Sequence, residues 1–131
     1  MTATYFLHWP DSELASLTEE APAALRLRWS AVCCHRADDG LAGYLHPLEL
    51  VFHGAVWQAS GPVMGGVAQG NLLVDGAMPS PAEHGLPLPL DRRGAVDCSL
   101  RLMSGTVLHI TAGQVVVQIG DETRFRESFA C

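Results

Sequence analysis

The chain has 131 residues, 48% of them apolar and 17% charged, with a formal net charge of −6. That supplies one hydrophobic core and not two, and it excludes a disordered segment, so residues 1–131 read as a single domain. All eight basic residues are arginine; without lysine there is no Walker-type phosphate loop and no Schiff-base chemistry, and an acidic chain without a dense basic run lacks the footprint of a nucleic-acid binder.

From the N-terminus, MTATYFLHWPDSELASL lacks a basic start followed by an unbroken apolar run, so no export signal is read there. No apolar segment reaches the length of a membrane span, which sets aside a membrane partner. The expectation is a cytoplasmic protein whose four cysteines, Cys33, Cys34, Cys98 and Cys131, are reduced thiols. Asp11 or Ser12 reads as the cap of one short helix, with Leu14 and Leu17 on its apolar side and Pro22 limiting it. His8-Trp9-Pro10-Asp11 reads as an anchor of the N-terminus against the core.

Residues 25–37 predict the first strand: Leu25, Leu27, Trp29, Ala31 and Cys33 alternate with Arg26, Arg28 and Ser30. Asp39-Gly40 reads as a two-residue hairpin turn. The second strand, about 44–58, has Leu48, Leu50 and Phe52 on one face and Glu49, Val51 and His53 on the other. A tight turn pairs Leu27 with Phe52, Trp29 with Leu50 and Ala31 with Leu48, because a one-residue slip would invert every side chain. It leaves Arg28 diagonal to Glu49 as that carboxylate's simplest partner.

ASGPVMGG (59–66) reads as a loop, and GPVMGGVAQG matches no phosphate-binding glycine pattern. A strand is expected at about 67–75. Residues 76–94 carry Pro79, Pro81, Pro87 and Pro89 around His84 and read as one long loop, most simply an ordered, inert surface crossing, with a lid, a binding loop or a mobile segment as the alternatives. Strands follow at about 95–103, 106–112 and 114–119. At Ser104-Gly105 a three-residue loop or a bulge is expected, aligning Leu102 with Leu108 and Leu100 with Ile110. VVVQI (115–119) reads as a central strand or a buried edge; through such an edge the chain would form a homodimer. The tail DETRFRESFAC reads as a docked helical turn or a final strand. Together these predict a mainly β, single-domain antiparallel β-barrel or β-sandwich with one short N-terminal helix.

The densest cluster of chemistry lies in VCCHRADDGLAGYLHPLELVFHG (32–54). In the predicted register Cys33 faces His46, with His35 opposite Tyr44 and diagonal to His46. Cross-strand neighbours share one metal ion readily, and thiolate with imidazole suits zinc. Cys34 and His53 fall on the other face. Against a site stand the missing fourth ligand and the absence of CxxC or HxxxH spacing. A catalytic Cys33–His46 dyad lacks an electropositive setting, since only Arg36 is near in sequence. No acid–base pair is assigned among Asp75, Glu83 and Asp97, and no GxSxG elbow exists.

The leading reading is therefore a non-catalytic binding or interaction domain, of bacterial type, with a protein or small-molecule partner and no cofactor expected. The first alternative is a zinc-type domain using Cys33, His35 and His46. The second is an apolar-ligand carrier whose barrel interior, lined by Trp29, Leu50 and Phe52 with His84 outside, encloses a cavity.

Overall fold

The computed structural model describes residues 3–81 and 84–131. Leu25, Leu27 and Trp29 are buried, and Arg28 and Ser30 between them face solvent, as alternation requires. The strand carrying them is the second of ten. In chain order these are β1 (Tyr5–Glu20), β2 (Ala24–Arg36), β3 (Ala42–His46), β4 (Leu48–His53), β5 (Val56–Ala59), β6 (Gly65–Val74), β7 (Leu86–Leu88), β8 (Leu90–Leu102), β9 (Val107–Val117) and β10 (Arg124–Glu127). All described pairings are antiparallel. β1, β2, β4, β9, β8 and β6 close into a six-stranded barrel. Outside it, β3 and β10 extend from one end of β2, β7 adds to β1, and β5 runs on from β4 along β9.

The expected N-terminal helix does not form: its residues belong to β1. Leu14 and Leu17 are three apart and imitate a helical spacing, but a register shift between Leu14 and Ser16 produces that spacing in a strand, so Leu14 pairs with Trp29 and Leu17 with Leu27. The ladder also shifts between His8 and Glu13 and between Glu13 and Leu14. Asp11 takes the left-handed conformation at φ 66°, which a short polar side chain tolerates. Ser12 is fully buried in this bulge; its hydroxyl donates to the His8 carbonyl (2.8 Å) and accepts from the Cys33 amide (2.9 Å). The residues read as a helix cap serve as the clasp of a bulge.

The β2 hairpin also differs in register. Its turn spans Ala37–Gly40, closed by the Arg36 amide on the Leu41 carbonyl and the Gly40 amide on the Arg36 carbonyl. The longer loop shifts the pairing by two residues: Leu25 faces Phe52, Leu27 faces Leu50 and Trp29 faces Leu48. A two-residue shift preserves the buried face, so the pattern alone could not detect it. Beyond Trp29 the face changes. Val32, Cys34, Gly43 and Leu45 are buried where odd positions of β2 and even positions of β4 were before. Both strands switch together across Ser30–Ala31 and His46–Pro47, so Cys33 and His35 lie on the outer surface of the wall.

In the last third, Leu102 and Thr106 close a three-residue loop, as expected, with Gly105 at φ 95°. The pairing is nevertheless Leu100 with Leu108 and Cys98 with Ile110, two residues from the expected alignment. Val107–Val117 is one strand instead of two, and β7 and the first residues of β8, interrupted at Pro89, occupy part of the segment where a loop was expected. β9 is flanked by β4 and β8 along 115–117, so Val115–Val117 lie in a central strand, and Gln118 and Ile119 fall beyond its end.

The barrel interior is filled. Trp29, Leu50 and Phe52 are each 0% exposed and belong to one continuous cluster with Leu25, Leu27, Leu108, Ile110, Val115 and Val117. Side chains of this size occupy the bore of a six-stranded barrel by themselves, so the residues expected to line a ligand cavity pack on one another instead. Ser12→Ala is expected to cost about 1–3 kcal/mol, because it strands a buried amide and a buried carbonyl. The check is a urea titration, which should show a lower midpoint with an unchanged slope.

Candidate functional site

Two features of the wall emerge from this architecture, one on its outer surface and one through it. The outer feature centres on β1 and β2 at the end away from their connecting turn. His8 stands directly across the ladder from Cys33, and Phe6 across from His35. The His8 Nε2 and His35 Nδ1 atoms are 2.7 Å apart and share one proton, so one ring donates and the other accepts. The rings stack at 4.9 Å, His35 lies on Phe6 at 5.2 Å, and His84 tilts against Phe6 from the far side at 5.9 Å. Burial first, and the neighbouring His35 second, hold the His8 imidazole below its ordinary value of 6.5.

Cys33 is bonded to Cys131, closing a sequence separation of 98 residues. This corrects the reading of four reduced thiols. Cys34 and Cys98 are the free cysteines; both are buried, and burial pushes each thiol up to about 12, so neither is a thiolate near neutrality. Cys131 follows β10, which is laid along β3. Phe125 stacks on Tyr5 at 5.5 Å with the Arg36 guanidinium 5.1 Å from its ring centroid. Gly43 admits the strand, because a Cβ there would strike the Arg126 carbonyl and sit 2.9 Å from the Phe125 ring.

The trio expected from the sequence is not assembled. Cys33 faces Tyr44, His35 faces Ala42, and His46 is displaced along β3 to face Arg124. Among the described residues, with the disulfide formed, no group of three His, Cys, Asp or Glu side chains is arranged around a metal position. Glu49 takes Arg26 at 3.1 Å in place of Arg28, and Arg26 also holds Glu20 at 2.9 Å. His109 pairs with Asp97 at 3.0 Å, and His53 is exposed. Asp75 accepts the Ala95 amide at 2.8 Å; Glu83 lies outside the described residues.

The second feature is a gap in the barrel wall. The hydrogen-bonded ladder between β1 and β6 holds two paired positions, Glu13 with Gly66 and Leu14 with Gly65, although the strands stay close beyond it, as the Trp9 ring over Gly70 shows. Beyond them β6 continues to Val74 paired on its β8 side, while β1 bulges away through Pro10–Ser12 and takes β7 as its neighbour. The slot left between them, about 170 Å³, is lined by Trp9, Gly70, Leu72, Met78, Pro79 and Leu86, with Asn71 and Gly85 at its margin. Trp9 closes its floor against Trp29, ring centroids 6.0 Å apart. Gly70 makes room for that indole, since a Cβ there would come within 2.7 Å of the Trp9 ring and of Leu100. The Ser80 hydroxyl donates to the Gly85 carbonyl and folds the proline-rich segment along the opposite rim.

Of the two features, sequence reasoning singled out Cys33 and His35 but missed His8, Cys131 and the slot. The 6–9 alternation of Phe and His with Leu and Trp is a strand signal, masked by the Pro-Asp-Ser that follows it. Cys131 carries no local signal at all. No family model, curated protein or solved structure matches the chain.

An unfolded His8 takes up a proton as pH falls through about 6.5, while the folded one resists until a lower pH, so this group favours folding above that window and the contribution is lost below it. Urea titrations from about pH 7.5 down to about pH 5 should show a loss of stability that is smaller in His8→Gln, which cannot charge.

Proposed function

We propose that the protein is a non-catalytic binding domain that captures an extended segment of a protein partner by strand addition in the slot between β1 and β6. The observation that carries this reading is the half-used edge of β6: its ladder with β1 ends at Gly65–Gly66 and Val74 bridges back to Ala77, so between them Gln69–Leu73 are laddered to β8 alone. A strand edge left without a neighbour is a template for another strand, and folded proteins either cover such edges or use them. Here the edge borders an apolar recess with a tryptophan at its base, the composition of a binding hot spot.

The chemistry of the remaining residues supports binding over catalysis. The two free thiols are held protonated by burial, which removes them as nucleophiles near neutral pH. The partner segment is one with a large apolar side chain for the recess and basic flanks that suit a chain of net charge −6.

The test is selection of extended peptides from a display library on the full chain, followed by amide exchange. Selected peptides should slow exchange along Gln69–Leu73 and change Trp9 emission. Met78→Asp, at an exposed rim position, should weaken them about tenfold or more, equivalent to about 1.4 kcal/mol. Peptides that bind without protecting those amides, or that ignore Met78→Asp, would overturn the reading.

A further inference from the structure

We propose that the Cys33–Cys131 disulfide masks a redox-gated zinc site, in which the reduced thiols of Cys33 and Cys131 join His8 and His35 as a two-thiolate, two-imidazole ligand set. The placement comes from the β1–β2 ladder. Cys33 and His35 are alternate residues of one strand and share its outer face, and His8 stands opposite Cys33 on the same face. Direct cross-strand neighbours have Cβ atoms about 4.5–5.5 Å apart, a separation that lets both side chains reach one ion. His8 Nε2 and His35 Nδ1 already converge at 2.7 Å. Parting them by roughly half an ångström gives the spacing of two nitrogens each about 2.0–2.1 Å from a tetrahedral ion, and the ion replaces the proton they share.

The fourth ligand stays in place when the disulfide opens. The tail is anchored independently by the β10–β3 ladder, by Phe125 between Tyr5 and Arg36, and by the Ser128 amide on the Ala42 carbonyl (3.1 Å). Only Phe129 and Ala130 separate that anchor from Cys131, so its thiol is confined near Cys33. The other two cysteines do not compete, since both are buried in the core cluster.

The exchange balances without further components. Two thiols of a small-molecule reductant give two electrons and two protons to the disulfide and become a disulfide themselves. Zn²⁺ then binds both sulfurs and releases their two protons. In reverse, a peroxide takes two electrons from the bound thiolates, the Cys33–Cys131 bond re-forms, the peroxide and two protons become two waters, and the ion leaves. In a reducing cytoplasm, the location read from the sequence, the metal-competent form is the resting one.

The test is titration of the full chain with Co²⁺ and then Zn²⁺, before and after reduction by a phosphine, which takes up one oxygen from water as the disulfide becomes two thiols. The reduced chain should bind one equivalent and show the visible absorption of tetrahedral Co²⁺ with sulfur-to-cobalt charge transfer; the oxidised chain should not. His8→Ala and His35→Ala should each weaken Zn²⁺ at least about tenfold, within the range for losing part of a metal's support. His46→Ala should leave affinity unchanged, and circular dichroism of each metal-free variant separates lost ligation from lost folding. If a variant fails to fold, Cys131→Ser, at an exposed position, should still cut the charge-transfer band to about half by leaving one thiolate on the ion. Reduced protein that takes up no stoichiometric metal, or binding that survives the Cys33→Ser/Cys131→Ser double variant, would overturn the proposal.

Discussion

Ser12 is the point on which both the slot and the histidine face of the barrel wall depend. β1 must belong to two different ladders, one with β7 at its start and one with β6 beyond Glu13, and a single straight strand cannot serve both. The bulge at Pro10–Ser12 makes the change of direction, at the cost of breaking the β1–β2 ladder for several residues. A broken ladder inside a packed wall leaves amides and carbonyls without partners, and such groups cost more unmade than a hydrogen bond gains when made. The buried Ser12 hydroxyl meets one of each, His8 carbonyl and Cys33 amide, and so makes the break tolerable.

Both the slot and the histidine face follow from that break. On one side, β1 swings away from β6 and opens the recess over Trp9. On the other, β2 and the β3–β4 ribbon change which face points inward, so that Val32, Cys34 and Leu45 continue the core while Cys33 and His35 turn outward. His8 meets His35 because both lie beyond the break. The tail from β10 then covers Cys33, which is why that residue is buried although it belongs to the outer face. A core of packed apolar side chains tolerates no polar cluster, so the polar and ionisable chemistry is gathered where the wall departs from regularity.

Much of this was legible residue by residue. Leu25, Leu27, Trp29, Leu48, Leu50 and Phe52 were all assigned to a buried face, and all six are buried. The errors share a physical cause. Side-chain alternation repeats every two residues, so it distinguishes faces but not registers that differ by two; both hairpins were offset by that amount. The helix read at Leu14 and Leu17 arose because a bulge inserts a residue and turns a period of two into an apparent three. Cys33 and His35 were identified as neighbours on one face, yet their partners were misassigned, since the register and the change of face lie between them and His46.

By itself, the sequence determined an antiparallel β architecture, its apolar faces and its turns at Gly40 and Gly105. These are local properties, written in alternation, turn residues and composition. Which distant segments meet was decided only by tertiary structure. Cys131 reaches Cys33 across 98 residues because β10 finds the free edge of β3. Trp9 seats over Gly70 because β1 breaks from its ladder just after Trp9 and Gly70 carries no side chain to exclude the indole. Long-range pairing depends on the fit of whole strands, and no local pattern of one or two residues encodes it.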